Sequence, residues 1–88
     1  MGKIDALINQ KNSELEQFNQ AITYYNEYGR KVSEEIIKVA NMSYTHGEID
    51  FFQFIQSLEN ATSIQVDYLE AVNQYNTTQL DLQFINLQ

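Results

Sequence analysis

The sequence predicts an all-α protein, a long antiparallel two-helix hairpin of the coiled-coil type. Proline is absent from the 88 residues and glycine occurs three times, so nothing forces a break in a long helix. Apolar residues recur about every 3.5 residues in two long series, and one short segment with turn signals separates them. These observations predict a single domain with helix 1 over about residues 4–45 and helix 2 over about residues 51–86.

The first apolar series runs along helix 1 in alternating steps of four and three residues. Only Lys11, Gly29 and Ser43 interrupt it. A series of this length predicts the seam along which helix 1 contacts helix 2. The seam residues are Ile4, Ile8, Lys11, Leu15, Phe18, Ile22, Tyr25, Gly29, Val32, Ile36, Val39 and Ser43.

Gly29 leaves the continuity of helix 1 open. A glycine in a helix interior costs up to about 1 kcal/mol relative to alanine. One interpretation is a kink or break near Gly29, with residues 1–28 as a separate helical segment. The other is a continuous helix that tolerates one glycine, and the sequence favours neither.

The second series follows helix 2 and includes two glutamines, which weaken a coiled-coil seam but can fix its register. Its residues are Phe51, Phe54, Leu58, Ala61, Gln65, Tyr68, Val72, Tyr75, Gln79 and Leu82. A further apolar set lies off this line, namely Phe52, Ile64, Val66, Ala71, Leu80, Phe84 and Ile85. One hairpin cannot bury both sets, so helix 2 is expected to contact another helix besides helix 1.

Residues 44–50, between the two series, predict the turn at the tip of the hairpin. Gly47 can adopt a positive φ without steric cost and suits the position just past a helix end. Asp50 can cap helix 2, and Gln53 three residues later completes a capping-box pattern. The candidate contact residues of the tip are Tyr44, His46, Gly47, Glu48, Ile49 and Asp50.

The charge distribution excludes several classes of partner. The formal net charge is −7, and every Lys and Arg precedes Gly47. A nucleic-acid-binding protein needs a basic stripe, so no nucleic-acid partner is expected. No apolar run approaches the roughly 20 residues of a membrane-spanning helix, and no signal peptide is evident. The chain is therefore expected to be either cytosolic or an internal piece of a longer protein.

The sequence offers little for catalysis or metal binding. With one histidine, no cysteine and no nucleophile or phosphate-binding motif, neither enzyme activity nor a cofactor is expected. Met42 and His46 share a helix face four residues apart, which could suit a soft cation such as Cu(I). A closed site needs more converging ligands, so a solvated histidine is the favoured interpretation and no metal site is predicted.

Residues 40–61 resemble the repeat hallmark of the TolC-like outer-membrane efflux proteins. The segment reads ANMSYTHGEIDFFQFIQSLENA. Its hallmark alanine, tyrosine, glycine and isoleucine are Ala40, Tyr44, Gly47 and Ile49.

Two further segments extend the resemblance. DYLEAVNQYN, at residues 67–76, is similar to a Y-L-x-A-L-x-x-Y-N segment of the family. Residues 24–29 and 35–40 look like the corresponding approach in the heavy-metal branch. The resemblance covers about residues 15–87.

The resemblance implies one periplasmic hairpin of a trimeric channel in a tripartite pump of the resistance–nodulation–division type that exports heavy-metal cations. The implied partners are neighbouring hairpins, a periplasmic adaptor protein and an inner-membrane pump. The implied location is the periplasm and outer membrane, with membrane contact only through other regions of the parent protein. Tyr44 would help to close the tunnel entrance, and Glu48, Ile49 and Asp50 would contact the adaptor. The basic residues that lock this entrance in parts of the family are lacking at this turn.

Two alternatives do not use the resemblance. The first is a free-standing helical module that self-associates into a four-helix bundle or coiled coil. The second is a small secreted hairpin of the export-substrate type, but its W-x-G turn is absent and the chain has no tryptophan. A two-helix hairpin leaves most of each helix in water and is barely stable alone, which favours assembly.

Overall fold

The protein is a two-armed helical hairpin. The computed structural model describes residues 2–87. The first arm runs from Gly2 to Thr45, and the second arm is helix α3, Phe51–Asn86. The arms lie antiparallel in a rod of 64 × 21 × 17 Å, and the described residues contain no β-strand. The predicted all-α hairpin is therefore confirmed.

The first arm is continuous but not uniformly α-helical. Helix α1 (Gly2–Tyr24) passes into a π-helical segment (Tyr25–Gly29), which passes directly into helix α2 (Arg30–Thr45). Gly29 keeps helical backbone angles, with φ −59° and ψ −40°. A break near Gly29 is therefore wrong, and the continuous helix that tolerates one glycine is confirmed, although it is not α-helical throughout. The arm holds one π turn instead, in which each hydrogen-bonded ring contains one residue more than in an α-helix.

Close packing against α3 surrounds the π-helical segment. The ring of Tyr25 stacks on the ring of Tyr68, with centroids 4.2 Å apart. Gly29 is buried beside them. A Cβ atom on Gly29 would lie 2.9 Å from Cδ2 of Tyr25 and 3.4 Å from Cγ2 of Ile64. The contact therefore has room for glycine and for no larger residue without a shift of the Tyr25 ring.

The π-helical segment changes which side of α2 faces α3. The predicted seam continues through Val32 and Val39, but these side chains are 47% and 49% exposed. The adjacent Ser33 and Ala40 are buried instead. The wider turn moves the inward positions of α2 by one residue, so this part of the predicted seam is wrong.

On helix α3, some of the residues that face the first arm are also shifted by one position from the predicted seam. Gln65 and Gln79 are exposed, whereas Ile64 and Thr78 lie on the inner side. The predicted positions Ala61, Tyr68, Tyr75 and Leu82 do face inward. Sequence reasoning placed Ile64, Ala71 and Ile85 off the predicted seam. This is wrong, because all three residues are buried or half-buried.

The contact between the arms is built from small side chains. Helix axes can approach closely only where the residues between them are small. The buried residues of the described chain are Gly29, Ser33, Ala40, Ala61, Ala71 and Thr78. Large apolar side chains are thus displaced to the flanks and the outside of the rod.

Three polar contacts join the two arms. Ser33 Oγ donates to the carbonyl of Ala61 at 3.2 Å and accepts from Nε2 of Gln65 at 3.1 Å. Towards the open end, Nζ of Lys11 lies 3.3 Å from a carboxylate oxygen of Asp81. Lys11 and Gln65 interrupt the apolar series in the sequence, and both join the two arms in the structure.

Replacing Gly29 by alanine should destabilise the hairpin, although alanine is the better helix former. The added Cβ meets the ring of Tyr25, and overpacking of this kind costs about 1–3 kcal/mol. We expect the thermal midpoint, followed by circular dichroism, to fall by about 4–8 °C for each kcal/mol lost. Gly2→Ala is the control, because nothing lies within 4 Å of its Cβ position. An equal fall in both variants would contradict the packing argument.

Replacing Ser33 by alanine should cost about 1 kcal/mol, because its hydroxyl makes two cross-arm hydrogen bonds, a buried one to Ala61 and a partly buried one with Gln65. The double variant Ser33→Ala/Gln65→Ala should lose less than the sum of the two single losses, since they share one contact. Urea unfolding measures all three. Ser57→Ala is the matched control, because its hydroxyl bonds only to Gln53 within α3. Equal losses for Ser33→Ala and Ser57→Ala would show that the cross-arm bonds contribute nothing.

Candidate functional site

The turn at the tip is closed by a glycine in the left-handed conformation. Helix α2 ends at Thr45, and Gly47 has φ +73°. The amide of Gly47 donates to the carbonyl of Tyr44 at 3.1 Å, and the amide of Glu48 donates to that of Ser43 at 2.8 Å. These two bonds form a Schellman motif, which satisfies carbonyls at the helix end. The positive φ expected of Gly47 is therefore present.

The start of α3 is capped by the residues that the sequence indicated. The amide of Gln53 donates to Oδ1 of Asp50 at 2.8 Å, and the amide of Asp50 donates to Oε1 of Gln53 at 3.0 Å. This reciprocal pair is a capping box. Both helix ends at the tip thus have hydrogen-bond partners of their own, which fixes the path of the chain between them.

Aromatic packing supports the base of the tip. The ring of Tyr44 stacks on Phe54, with centroids 4.8 Å apart, and meets the edge of Phe51 at 6.2 Å. Tyr44 nevertheless remains 42% exposed. Its side chain thus joins α2 to α3 and still presents part of its surface to a neighbour.

His46 uses one ring nitrogen within its own helix end. Its Nδ1 lies 2.7 Å from the carbonyl oxygen of Met42. Since a carbonyl can only accept, Nδ1 carries the proton in this contact and is not a free metal ligand. Among residues 2–87 no group of three or more His, Cys, Asp or Glu side chains is arranged to hold a metal ion.

The outermost residues of the tip face solvent. His46, Gly47, Glu48 and Asp50 are exposed, and Ile49 is half-buried. The structure therefore brings all six predicted contact residues together at one end of the rod. These residues have different roles. Gly47 and Asp50 shape the backbone of the turn. Glu48 has no side-chain hydrogen bond or ion pair within the described chain.

An open apolar groove of about 520 Å³ lies beside the tip, between α2 and the first turns of α3. Its apolar lining comes from Val32, Ile36, Val39, Ala40 and Ile49. Sequence reasoning missed this groove because it placed Val32 and Val39 between the arms. Only the one-residue shift at the π-helical segment could have indicated it, and that shift has no obvious sequence signal.

A second apolar surface follows the side of α3 that faces away from the first arm. Its residues recur at steps of three and four, as they do along one helix face. We call this line the outer stripe; it consists of Phe52, Ile55, Glu59, Thr62, Val66, Leu69, Asn73, Asn76, Leu80, Phe84 and Leu87. Sequence reasoning singled out Phe52, Val66, Leu80 and Phe84 as unburied by the hairpin, and these four are exposed.

No family model, no curated protein and no solved structure matches the chain. Within residues 2–87, no helix combines the length and the hydropathy required to cross a bilayer.

Replacing Gly47 by alanine should destabilise the tip, because a Cβ in the left-handed region costs about 1–2 kcal/mol. Asp50→Ala should cost about 1 kcal/mol through loss of the cap. Both losses are measured by urea unfolding at one pH. Glu48→Ala is the control, because this exposed side chain has no hydrogen bond or ion pair within residues 2–87. If Gly47→Ala is as stable as Glu48→Ala, the left-handed turn is not retained in solution.

Proposed function

We propose that the chain is a periplasmic hairpin of a TolC-like outer-membrane channel in a tripartite efflux pump for heavy-metal cations. The observation that carries the proposal is the combination of a helical rod, 64 Å long, with a capped and solvent-facing tip. The spacing of Ala40, Tyr44, Gly47 and Ile49, which resembles the hallmark of that family, supports the assignment.

In this proposal the hairpin acts passively, as a wall element. An isolated hairpin leaves apolar surface on two sides, in the groove beside the tip and along the outer stripe. Exposed apolar patches of this extent are typical of surfaces that pack against other proteins. Neighbouring hairpins of a trimeric parent would cover them and form a continuous helical tunnel. The parent protein would hold the hairpin at the outer membrane, in the periplasm.

The tip is the proposed contact for a periplasmic adaptor protein, which links the channel to an inner-membrane pump. Glu48 and Asp50 present carboxylates at the end of the rod, and Ile49 adds an apolar contact beside them. Tyr44 is exposed enough to contact the equivalent residue of another hairpin. No Lys or Arg occurs from Gly47 onward, so an adaptor tip with basic residues is the complementary partner.

A free-standing, self-associating helical module is the second candidate function. It is favoured by the outer stripe, which runs along α3 and leaves Phe52, Leu69, Leu80 and Phe84 more than half exposed. Such a module needs no membrane region and no adaptor. It differs from the channel in requiring only copies of the same chain.

Cells that encode the protein provide the test. Deleting the gene should make them more sensitive to at least one transition-metal cation, measured as growth across a concentration series. The gene with Glu48→Lys should fail to restore resistance, because charge reversal at the tip opposes docking of a basic partner. The gene with Glu34→Lys should restore it, because this exposed carboxylate lies on α2 away from the tip.

Cell fractionation separates the two candidates. The channel requires the wild-type protein and both variants in the outer-membrane fraction in equal amounts. Protein found only in the soluble fraction, with metal tolerance unaffected by the deletion, would rule out the channel and leave the self-associating module.

A further inference from the structure

We infer that the outer stripe of α3 is an interface with a second copy of this chain that runs in the opposite direction. The two hairpins then form a four-helix bundle with their α3 helices at the centre and their tips at opposite ends. The inference rests on self-association, the second candidate function, and does not use the channel assignment.

The outer stripe exposes large apolar side chains at both ends and at the middle of α3. Its large apolar side chains include Phe52, Leu69, Leu80 and Phe84, which are 85%, 62%, 64% and 67% exposed. Helix α3 has 36 residues and is therefore about 54 Å long at about 1.5 Å per residue. Steps of three and four residues over this length are the pattern of a second coiled-coil seam.

The pattern of the outer stripe reads the same in both directions from a point between Val66 and Leu69. On each side of that point comes one apolar residue, then two polar residues, then two apolar residues. Towards the tip the order is Val66, Thr62, Glu59, Ile55 and Phe52. Towards the C-terminus the order is Leu69, Asn73, Asn76, Leu80 and Phe84.

A second copy of α3 that runs antiparallel therefore places apolar residues opposite apolar residues and polar residues opposite polar residues. Leu69 of one copy comes opposite Val66 of the other, and Leu80 comes opposite Ile55. The polar residues also meet one another, because Asn76 comes opposite Glu59. Since the stripe is self-complementary, a twofold axis repeats every contact, which is the arrangement of an isologous dimer.

Charge selects the antiparallel orientation over the parallel one. A parallel pair also aligns the apolar residues, but it places Glu59 of one copy beside Glu59 of the other. Like charges at such positions are destabilising. In the antiparallel pair Glu59 faces Asn76, and Glu70 faces residues 63–65, which carry no charge. Antiparallel helices also align their macrodipoles favourably, and the acidic tips lie far apart.

The same charges make a lipid surface a poor occupant. Amphipathic helices that lie on membranes carry Lys or Arg beside the apolar face. Helix α3 has none, whereas Glu59 lies within the stripe and Glu70 beside it. A second copy needs no added positive charge, because no acid opposes another in the antiparallel pair.

Paired cysteine variants test the orientation in the otherwise native chain, which has no cysteine of its own. Ile55→Cys and Leu80→Cys proteins are mixed and oxidised gently, and the disulfides are identified by mass spectrometry. Antiparallel pairing predicts a 55–80 bridge between two copies and little 55–55 bridge. In a parallel pair these two positions lie about 37 Å apart along the helix, so only 55–55 and 80–80 bridges form.

Light scattering tests whether two copies associate through the outer stripe. The wild-type chain should have twice the mass of one chain, which is 10.3 kDa. Leu69→Glu should reduce the mass to that of a monomer at the same concentration. Val39→Glu is the matched control, because it places the same charge on an exposed apolar residue outside the stripe and should leave the dimer intact.

The outcomes separate orientation, surface and self-association. A 55–80 bridge with loss of the dimer only in Leu69→Glu supports the inference. Dominant 55–55 bridges overturn the antiparallel orientation but leave self-association standing. Dissociation by Val39→Glu and not by Leu69→Glu assigns the interface to the groove and overturns the inference. A monomeric wild type without bridges overturns both the inference and the self-associating module.

Discussion

The approach of the two arms through Gly29, Ser33 and Ala61 is the contact on which the other features of the hairpin depend. The hydroxyl of Ser33 donates to a backbone carbonyl of α3, and a Cβ atom on the buried Gly29 would lie 3.4 Å from Cγ2 of Ile64. Helices this close cannot hold large side chains between them. The π-helical segment turns the small residues of α2 inward, and the larger valines consequently line an open groove.

This arrangement explains why the hairpin has little conventional core. The buried residues of the described chain are all small, and much of the aromatic and aliphatic surface lies outside. Burial of apolar surface drives folding, so the hairpin by itself gains only part of the available stabilisation. A partner that binds the folded form supplies more by mass action. Stability and assembly are therefore linked in this protein.

The sequence predicted the features that depend on local chemistry. The absence of proline and the two apolar series predicted two long helices, and the Gly47 and Asp50 patterns predicted the tip turn and its cap. The register was harder, because a spacing of about 3.5 residues does not distinguish Val32 from Ser33 once a π turn intervenes. A small polar residue such as Ser33 gives no periodic signal, yet it becomes the best buried side chain of α2 when the arms are close.

The hydrogen bonds of the tip also bear on how the chain folds. Those that close the turn and cap α3 all join residues within 42–54, close together in sequence. A short loop loses the least entropy on closing, so this segment can order before any contact between distant residues forms. The cross-arm contacts then lie at growing sequence separation, from Ser33 with Ala61 to Lys11 with Asp81. Chain entropy thus favours folding that begins at the tip and advances towards both termini.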